Sequence, residues 1–303
     1  MFNWYSKSKV CIVQLADTTD SVSSLRNDQW FTRGWTLQEL LAPKSVKFFD
    51  KSWQPITSYF LTDDDKYIDS NSKSHLWNHI SHITGISPAQ IYTFDSGIGH
   101  ARDALVWLSK RQTTRIEDMA YCLIGLLGIP LTIAYGEGEM AFYRLQVEIL
   151  QRTPDMGIFI WKGQSAVGNS MLAAKPDSFS SPTFGTLSSY TFEDDVDLSY
   201  SFTNFGLRIP LLVYQIPASE LRVVHGNEVD TLVMVNLGST SVELQSRDNY
   251  EFVELAFLGM IDGQEMDLAI LLGFKHGQWK RISKDYIILP LPSGAALQTR
   301  FIR

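Results

Sequence analysis

The spacing of apolar residues changes twice along this chain, and each change marks a new kind of structure. "KVCIVQLAD" (9–17) is a short β-branched run between turn residues and predicts a buried strand. After a polar loop, "WFTRGWTLQELLAP" predicts an amphipathic helix over residues 30–41. Pro43 ends it, because the proline ring cannot continue the hydrogen-bond ladder. "VKFFD" (46–50) reads as a second strand, and the polar stretch 57–74, with "TDDDKYIDSNSK", reads as a surface insertion.

From 74 to 150 the period is helical. "HLWNHISHITGI" predicts a helix ending near Gly85, and "ARDALVWLSKR" puts Ala104, Trp107 and Leu108 on one face. In "TTRIEDMAYCLIGLLG" the residues Ile116, Met119, Ala120, Leu123, Ile124 and Leu127 form an apolar stripe, with Thr114 and Glu117 at the spacing of a capping box. "GEGEMAFYRLQVEIL" predicts another helix, with acids at its start as the helix dipole prefers. Beyond "IFIW" (158–161) a linker rich in Gly, Ser, Ala and Pro leads into strand patterns. The first alternates Phe205, Leu207, Ile209, Leu211 and Val213, and "KHG" is a hairpin turn further on. Short strands at regular spacing suggest a β-sandwich or barrel. The expected domains are 1–163, α/β with a helical extension, and 164–303, an all-β sandwich-like domain.

At 303 residues and 45% hydrophobic, the chain has apolar material for two cores. Its net charge of -7 is uneven: 16 Lys+Arg against 17 Asp+Glu in 1–163, but 10 against 16 in 164–303. No basic patch shows, which argues against nucleic acid as the main partner. Two cysteines, Cys11 and Cys122, suit a reducing compartment. The start "MFNWYSKSKVCIVQLAD" lacks a small-residue cleavage site, and Gly125, Gly128 and Pro130 interrupt the uncharged stretch 119–136. No membrane span is expected, and the expected location is cytoplasmic.

Most chemical patterns reduce to structural ones. Gly136-x-Gly138-x-x-Ala141 has the outline of a dinucleotide fingerprint, but Glu137 and Glu139 would repel a pyrophosphate. His75, His79 and His82 share a helical face without the glutamate or cysteines of a zinc motif, so no metal site is expected. No Gly-x-Ser-x-Gly elbow occurs, and Asp63, Asp64 and Asp65 lack calcium-loop spacing. Arg115, Glu117 and Asp118 read as capping and surface ion-pair residues. Trp30, Arg33, Trp35 and Glu39 read as core with a salt bridge, in which Glu39 pairs with Arg33 or Arg115.

Taken in order, "WFTRGWTLQELLAP", "VKFFD", "LSKRQTTRIEDMAYCLIGLLGI" and "PLTIAYGEGEMAFYRLQVEIL" resemble the fungal heterokaryon-incompatibility (HET) domain family over about residues 1–162. "YSFTNFGLRIPL" resembles the β-rich region that often follows that domain. Family members begin with Ser-x-Thr-Trp-Gly-like and Trp-x-Asp-x-x-Cys-Ile-Asp-like motifs. Both are absent here, so the resemblance implies an N-terminally truncated HET domain, whether a truncated protein, an incomplete gene model or a degenerate copy. A strand over residues 10–15 would then have lost neighbours, leaving its edge exposed or covered some other way.

The resemblance implies fungal non-self recognition, in which fusion of incompatible cells triggers cell death, acting through protein partners or self-association. It also implies a fold distantly similar to TIR domains, an incomplete TIR-like α/β unit. "WTLQEL" puts Trp35 and Glu39 at the spacing of a TIR motif whose glutamate serves NAD cleavage. Glu39 is on that reading a catalytic carboxylate, with NAD as substrate and no cofactor required. Arg33, Trp35, Arg115, Glu117 and Asp118 would line the site, and Trp30, Pro43, Tyr135, Gly136 and Gly138 would be structural. The alternatives are a non-catalytic signalling module and an inactive remnant.

Overall fold

The chain opens with a short helix, α1 (Phe2–Lys7), and a strand, β1 (Cys11–Gln14). Then come a helix, α2 (Thr36–Leu41), and a strand, β2 (Val46–Phe49), that pairs in parallel with β1, Cys11 opposite Val46 and Gln14 opposite Phe49. This computed structural model describes residues 1–19, 22–56, 75–180, 187–188, 190, 199–217, 221–225, 231–237, 240–246, 250–261 and 264–303. The expected insertion at 57–74, with its three aspartates, lies outside the described residues. The chain divides into two compact units, Met1–Ile149 and Leu150–Arg303.

In the first unit β1 is buried on one face only. Cys11 and Val13 point inward, while Ile12 between them is 58% exposed. That corrects the expectation of a fully buried strand, since parallel strands are ordinarily covered on both faces. Among the described residues the sheet has two strands.

The helix expected over 30–41 is broken in two. Gln29–Thr32 form a 3-10 turn, capped by the Asp28 carboxylate on the Trp30 amide. Arg33 is extended, and α2 begins at Thr36. At the break the Thr36 hydroxyl lies 2.6 and 2.7 Å from the carbonyls of Trp30 and Arg33 and shares its one proton between them, and the Gly34 amide donates to the Gln112 carbonyl, so the ladder of a continuous helix is diverted. The helix ends before Pro43, as expected. Beneath the sheet Trp30 packs edge-on against Phe31 and Phe48, and Phe48 meets Trp77.

The helical stretch contains α3 (His75–Thr84), α4 (Pro88–Thr93), α5 (Ala101–Ser109), α6 (Asp118–Leu127) and α7 (Met140–Leu150). α3 stops at Gly85, whose φ of +74° suits glycine, and α5 buries Ala104, Trp107 and Leu108 as its period requires. α6 begins at Asp118, with its N-cap Glu117 three residues after the expected cap Thr114. Thr114 and Glu117 form no capping box, and Ile116 is exposed. Gly128, at φ +64°, closes α6 in a left-handed cap after ten residues. Among the described residues no helix is long and apolar enough to cross a membrane.

The second unit fills much of the expected linker with structure. A 3-10 turn, Met156–Phe159, precedes the hairpin of β3 (Ser165–Ala166) and β4 (Asn169–Ala173), in which Met171, Leu172 and Ala173 are fully buried. β5 (Leu187–Ser188), β6 (Ser201–Thr203) and β7 (Gly206–Gln215) follow, and β7 buries Leu207, Ile209, Leu211 and Val213. Phe205, expected to begin that alternation, is exposed in the turn before it. β8 (Leu221–His225), β9 (Thr231–Leu237) and β10 (Thr240–Ser246) make a separate three-stranded antiparallel meander.

The remaining strands are β11 (Phe252–Ile261), β12 (Asp267–Lys275), β13 (Gln278–Arg281), β14 (Ile287–Leu289) and β15 (Ala296–Ile302). β7 pairs with β11, β11 with β12, β12 with β13, β13 with β15, and β15 again with β7. Five strands therefore close into a ring, the barrel alternative of the sequence reading in place of two stacked sheets. The closing contact is short: Trp279 against Ile302, with the Arg303 amide donating to the Trp279 carbonyl. Leu255, Phe257, Ala269 and Leu271 share one core cluster with Ile287 and Leu289. Their neighbours Ala256, Leu258, Leu268 and Ile270 are also buried, so β11 and β12 read as continuous apolar runs. The part-buried Arg300–Glu254 pair, at 2.7 and 2.8 Å, bridges β15 and β11 across β7.

Candidate functional site

Glu39 is the fourth of the six residues of α2, in its first turn and half-buried. Its Oε2 accepts the indole N–H of Trp30 at 3.0 Å, and its Oε1 accepts the phenol of Tyr5 at 3.2 Å. Desolvation and the Glu39 carboxylate together push the Tyr5 phenol up to about 12, so it stays a neutral donor. The indole that meets Glu39 is thus that of Trp30, nine residues earlier, while Trp35 stands at the N-cap position of α2 without a side-chain capping bond. Among the described residues neither Arg33 nor Arg115 forms an ion pair with Glu39. Arg33 is exposed, its backbone bridged to Gln112.

Arg111 carries the positive charge near Glu39, a residue that the sequence did not single out. It is 4% exposed and donates through Nη1 to the Arg33 carbonyl and the Thr36 hydroxyl, both at 2.9 Å. Burial pushes its guanidinium down to about 10, still a cation at neutral pH. The neighbouring Cys122 thiol is pushed up to about 12 by burial and is inert as a nucleophile. Gln38, one residue before Glu39, donates to the Cys122 carbonyl at 2.5 Å and fastens α2 to α6.

Arg115, Glu117, Asp118, Tyr135, Gly136 and Gly138 come together in a second group. Glu117 Oε1 accepts the amides of Gly136 at 2.8 Å and Gly138 at 3.2 Å. Both glycines have positive φ, +100° and +60°, which turns their N–H groups toward one carboxylate. Backbone donors, its own amide first and then Gly136, hold Glu117 below the ordinary carboxylate range. Asp118 accepts the Tyr135 hydroxyl at 2.9 Å, and the Arg115 guanidinium lies 4.6 Å from the Tyr135 ring centroid. Tyr121 donates to Glu137 at 2.6 Å and accepts from the Ala134 amide, and Arg144 binds both Glu137 oxygens at 2.7 Å. "TTRIEDMAY" and "YGEGEMAF" are therefore two halves of one clamp, which pins the 129–139 loop to α6. The loop's glycine amides are spent on Glu117 and are not open to a pyrophosphate. Among the described residues no hydrogen bond or ion pair joins this clamp to Glu39.

His79 and His82 are exposed on α3, and the side chain of His75 lies outside the described residues. No group of three His, Cys, Asp or Glu is placed to hold a metal among the described residues. Neither cysteine is in a disulfide, and both are buried.

In the second unit one cation organises the backbone. Arg281 is buried and donates to the carbonyls of Phe159, Trp161 and Ser283 at 2.8, 2.9 and 3.1 Å, with its guanidinium 3.7 Å from the Trp161 ring. The Trp161 indole in turn donates to Met171.

Residues 140–182, which include Phe159, Trp161 and the β3–β4 hairpin, match a family described as Domain of unknown function (DUF8212). Over 160 residues, 49% of its length, the chain is 36% identical to the vegetative incompatibility protein HET-E-1 of Podospora anserina. That similarity supports a relationship to the heterokaryon-incompatibility proteins of fungi. The match spans 11% of the HET-E-1 chain. No solved structure matches.

Proposed function

We propose that this chain is a vegetative-incompatibility module of a fungus, acting in non-self recognition and cell-death signalling through contacts with protein partners or with its own copies in the cytoplasm. The observation that carries this reading is the 36% identity to HET-E-1, because its name states the role. The β1–α2–β2 unit, parallel as in α/β folds, supports the TIR-like relationship that the resemblance implies.

The geometry around Glu39 favours a structural carboxylate over a catalytic one. Each oxygen already accepts a hydrogen bond from a neutral donor on the protein, which fixes α1 and the Trp30 turn to α2. The competing reading, NAD cleavage by Glu39, is tested on the same preparation.

Inducible expression in a fungal host is the experiment. Growth arrest by the chain, retained by Glu39→Gln at equal protein level, is the expected result. Normal growth with the protein accumulating to the same level would overturn the signalling reading and leave the inactive remnant. Release of nicotinamide from NAD by the purified chain, lost in Glu39→Gln, would replace this reading with the enzymatic one.

A further inference from the structure

Between the 3-10 turn at Gln29–Thr32, the end of α3 and the end of α5, the first unit holds an open cavity of about 350 Å³. Among the described residues its lining contains Arg26, His82, Lys110 and Arg111 and no Asp or Glu. In a unit whose charges nearly balance, a concave surface lined by three cations and a histidine concentrates positive potential. Phe31 and Trp107, both buried, supply apolar wall.

The deepest cation is incompletely satisfied. Arg111 uses Nη1 on Arg33 and Thr36, but its Nη2 is buried without a hydrogen-bond partner among the described residues. That atom has almost no accessible surface, so an anion in the cavity meets Arg111 as a fixed positive charge in the wall, and the direct charge-assisted bonds come from the exposed cations. Arg26 and Lys110 are exposed at the rim, where they attract an anion and close around it. The volume is about ten times that of one liquid water. It sits at the small end of ligand pockets, with room for an anionic group and a small organic moiety against Phe31 and Trp107.

We propose that this cavity binds a small phosphate monoester, with the phosphate on Lys110 and Arg26 beside the buried Arg111 charge and its organic group on the Phe31–Trp107 wall. Such a ligand would fasten α3 and α5 to the turn that carries Trp30 and so stabilise the first unit. The site does not depend on the incompatibility reading, and it does not use Glu39, which is not among the cavity's lining residues.

The test is calorimetric titration of the full chain with phenyl phosphate, with phenol and sodium sulfate as controls. Arg111→Ala is a poor probe because it strips bonds from Arg33 and Thr36, so the exposed Arg26→Ala and Lys110→Ala are used. The expected result is saturable binding of phenyl phosphate, weakened about tenfold in each variant, with phenol inert and sulfate weaker. No binding of phenyl phosphate up to about 10 mM would overturn the proposal. Equal binding in both variants would overturn it too, and so would equal affinity for sulfate, which would mean general charge screening.

Discussion

The indole N–H of Trp30 and the carboxylate of Glu39, nine residues apart, meet at 3.0 Å across the break between a 3-10 turn and α2. The contact ties the turn's aromatic anchor to the helix. Trp30→Phe keeps the edge contacts with Phe31 and Phe48 and removes the donor alone. We expect a loss of about 1 kcal/mol, read as a melting temperature lower by about 3 °C. Glu39→Ala releases Tyr5 as well and should cost more. If Trp30→Phe melts with the parent protein, the bond contributes nothing to stability.

Glu117 makes the clamp sensitive to acid. Its folded pKa lies below the unfolded value, so the stability it contributes is fully present above the unfolded pKa, about 4.3. That contribution is lost as pH falls through the lowered folded value. Urea unfolding at about pH 7 and about pH 3.5 should show a smaller acid-induced loss for Glu117→Gln than for the parent chain. Equal losses would mean that the Gly136 and Gly138 amides do not discriminate between the ionised and neutral acid. Gly136→Ala, at φ +100°, should cost about 1 kcal/mol at either pH.

What the sequence revealed, and what it hid, follows from the range of the physics involved. Local periodicity placed α3, α5 and β7, because burial on one face repeats within a few residues. α4 was legible but unread: Ser87, Pro88 and Gln90 form a full capping box with proline in the first turn. The break at Arg33 was not, since a helical apolar pattern survives a side-chain bond that diverts its carbonyls. Arg111 and Arg281 were invisible for another reason. Arginine is ordinarily exposed, and each is buried only because carbonyls far away in sequence converge on it. Neighbouring Gly and Ser residues masked the buried run Met171–Leu172–Ala173, and the closing contact of the ring involves a single residue pair.

The turn between β12 and β13 can be improved. His276 and Gly277 both have positive φ, +50° and +78°, as a two-residue type I′ hairpin needs. Histidine tolerates that region less readily than asparagine does. His276→Asn should raise stability by about 0.5 kcal/mol, provided its amide still donates to Glu251 as the His276 amide does at 3.0 Å. A thermal melt of the two proteins decides this, and a lower melting temperature for the variant would show that the imidazole contributes something the backbone does not.

Cys122 offers a report on opening of the first unit. Its thiol is fully buried, and burial raises its pKa to about 12, so both access and thiolate fraction are negligible in the folded state. Iodoacetamide should leave Cys122 unmodified in the native chain and label it as urea unfolds the unit, with the modified residue identified by peptide mass. Rapid native labelling at Cys122 would mean that α2 and α6 separate on their own. That would also contradict the 2.5 Å bond from Gln38 to the Cys122 carbonyl.

Arg281 provides the sharpest test of the second unit. Its planar guanidinium answers three carbonyls in different directions and stacks on Trp161, an arrangement that a flexible ammonium cannot copy. Arg281→Met fills similar space without the charge but leaves the three carbonyls without that donor. Arg281→Lys keeps the charge and loses the planar fork. Both should unfold at lower urea, the methionine variant by about 3 kcal/mol or more, and Trp161 fluorescence should report the change. If the methionine variant matches the parent chain, apolar packing around Trp161 would hold this segment, and the cation would be incidental to it.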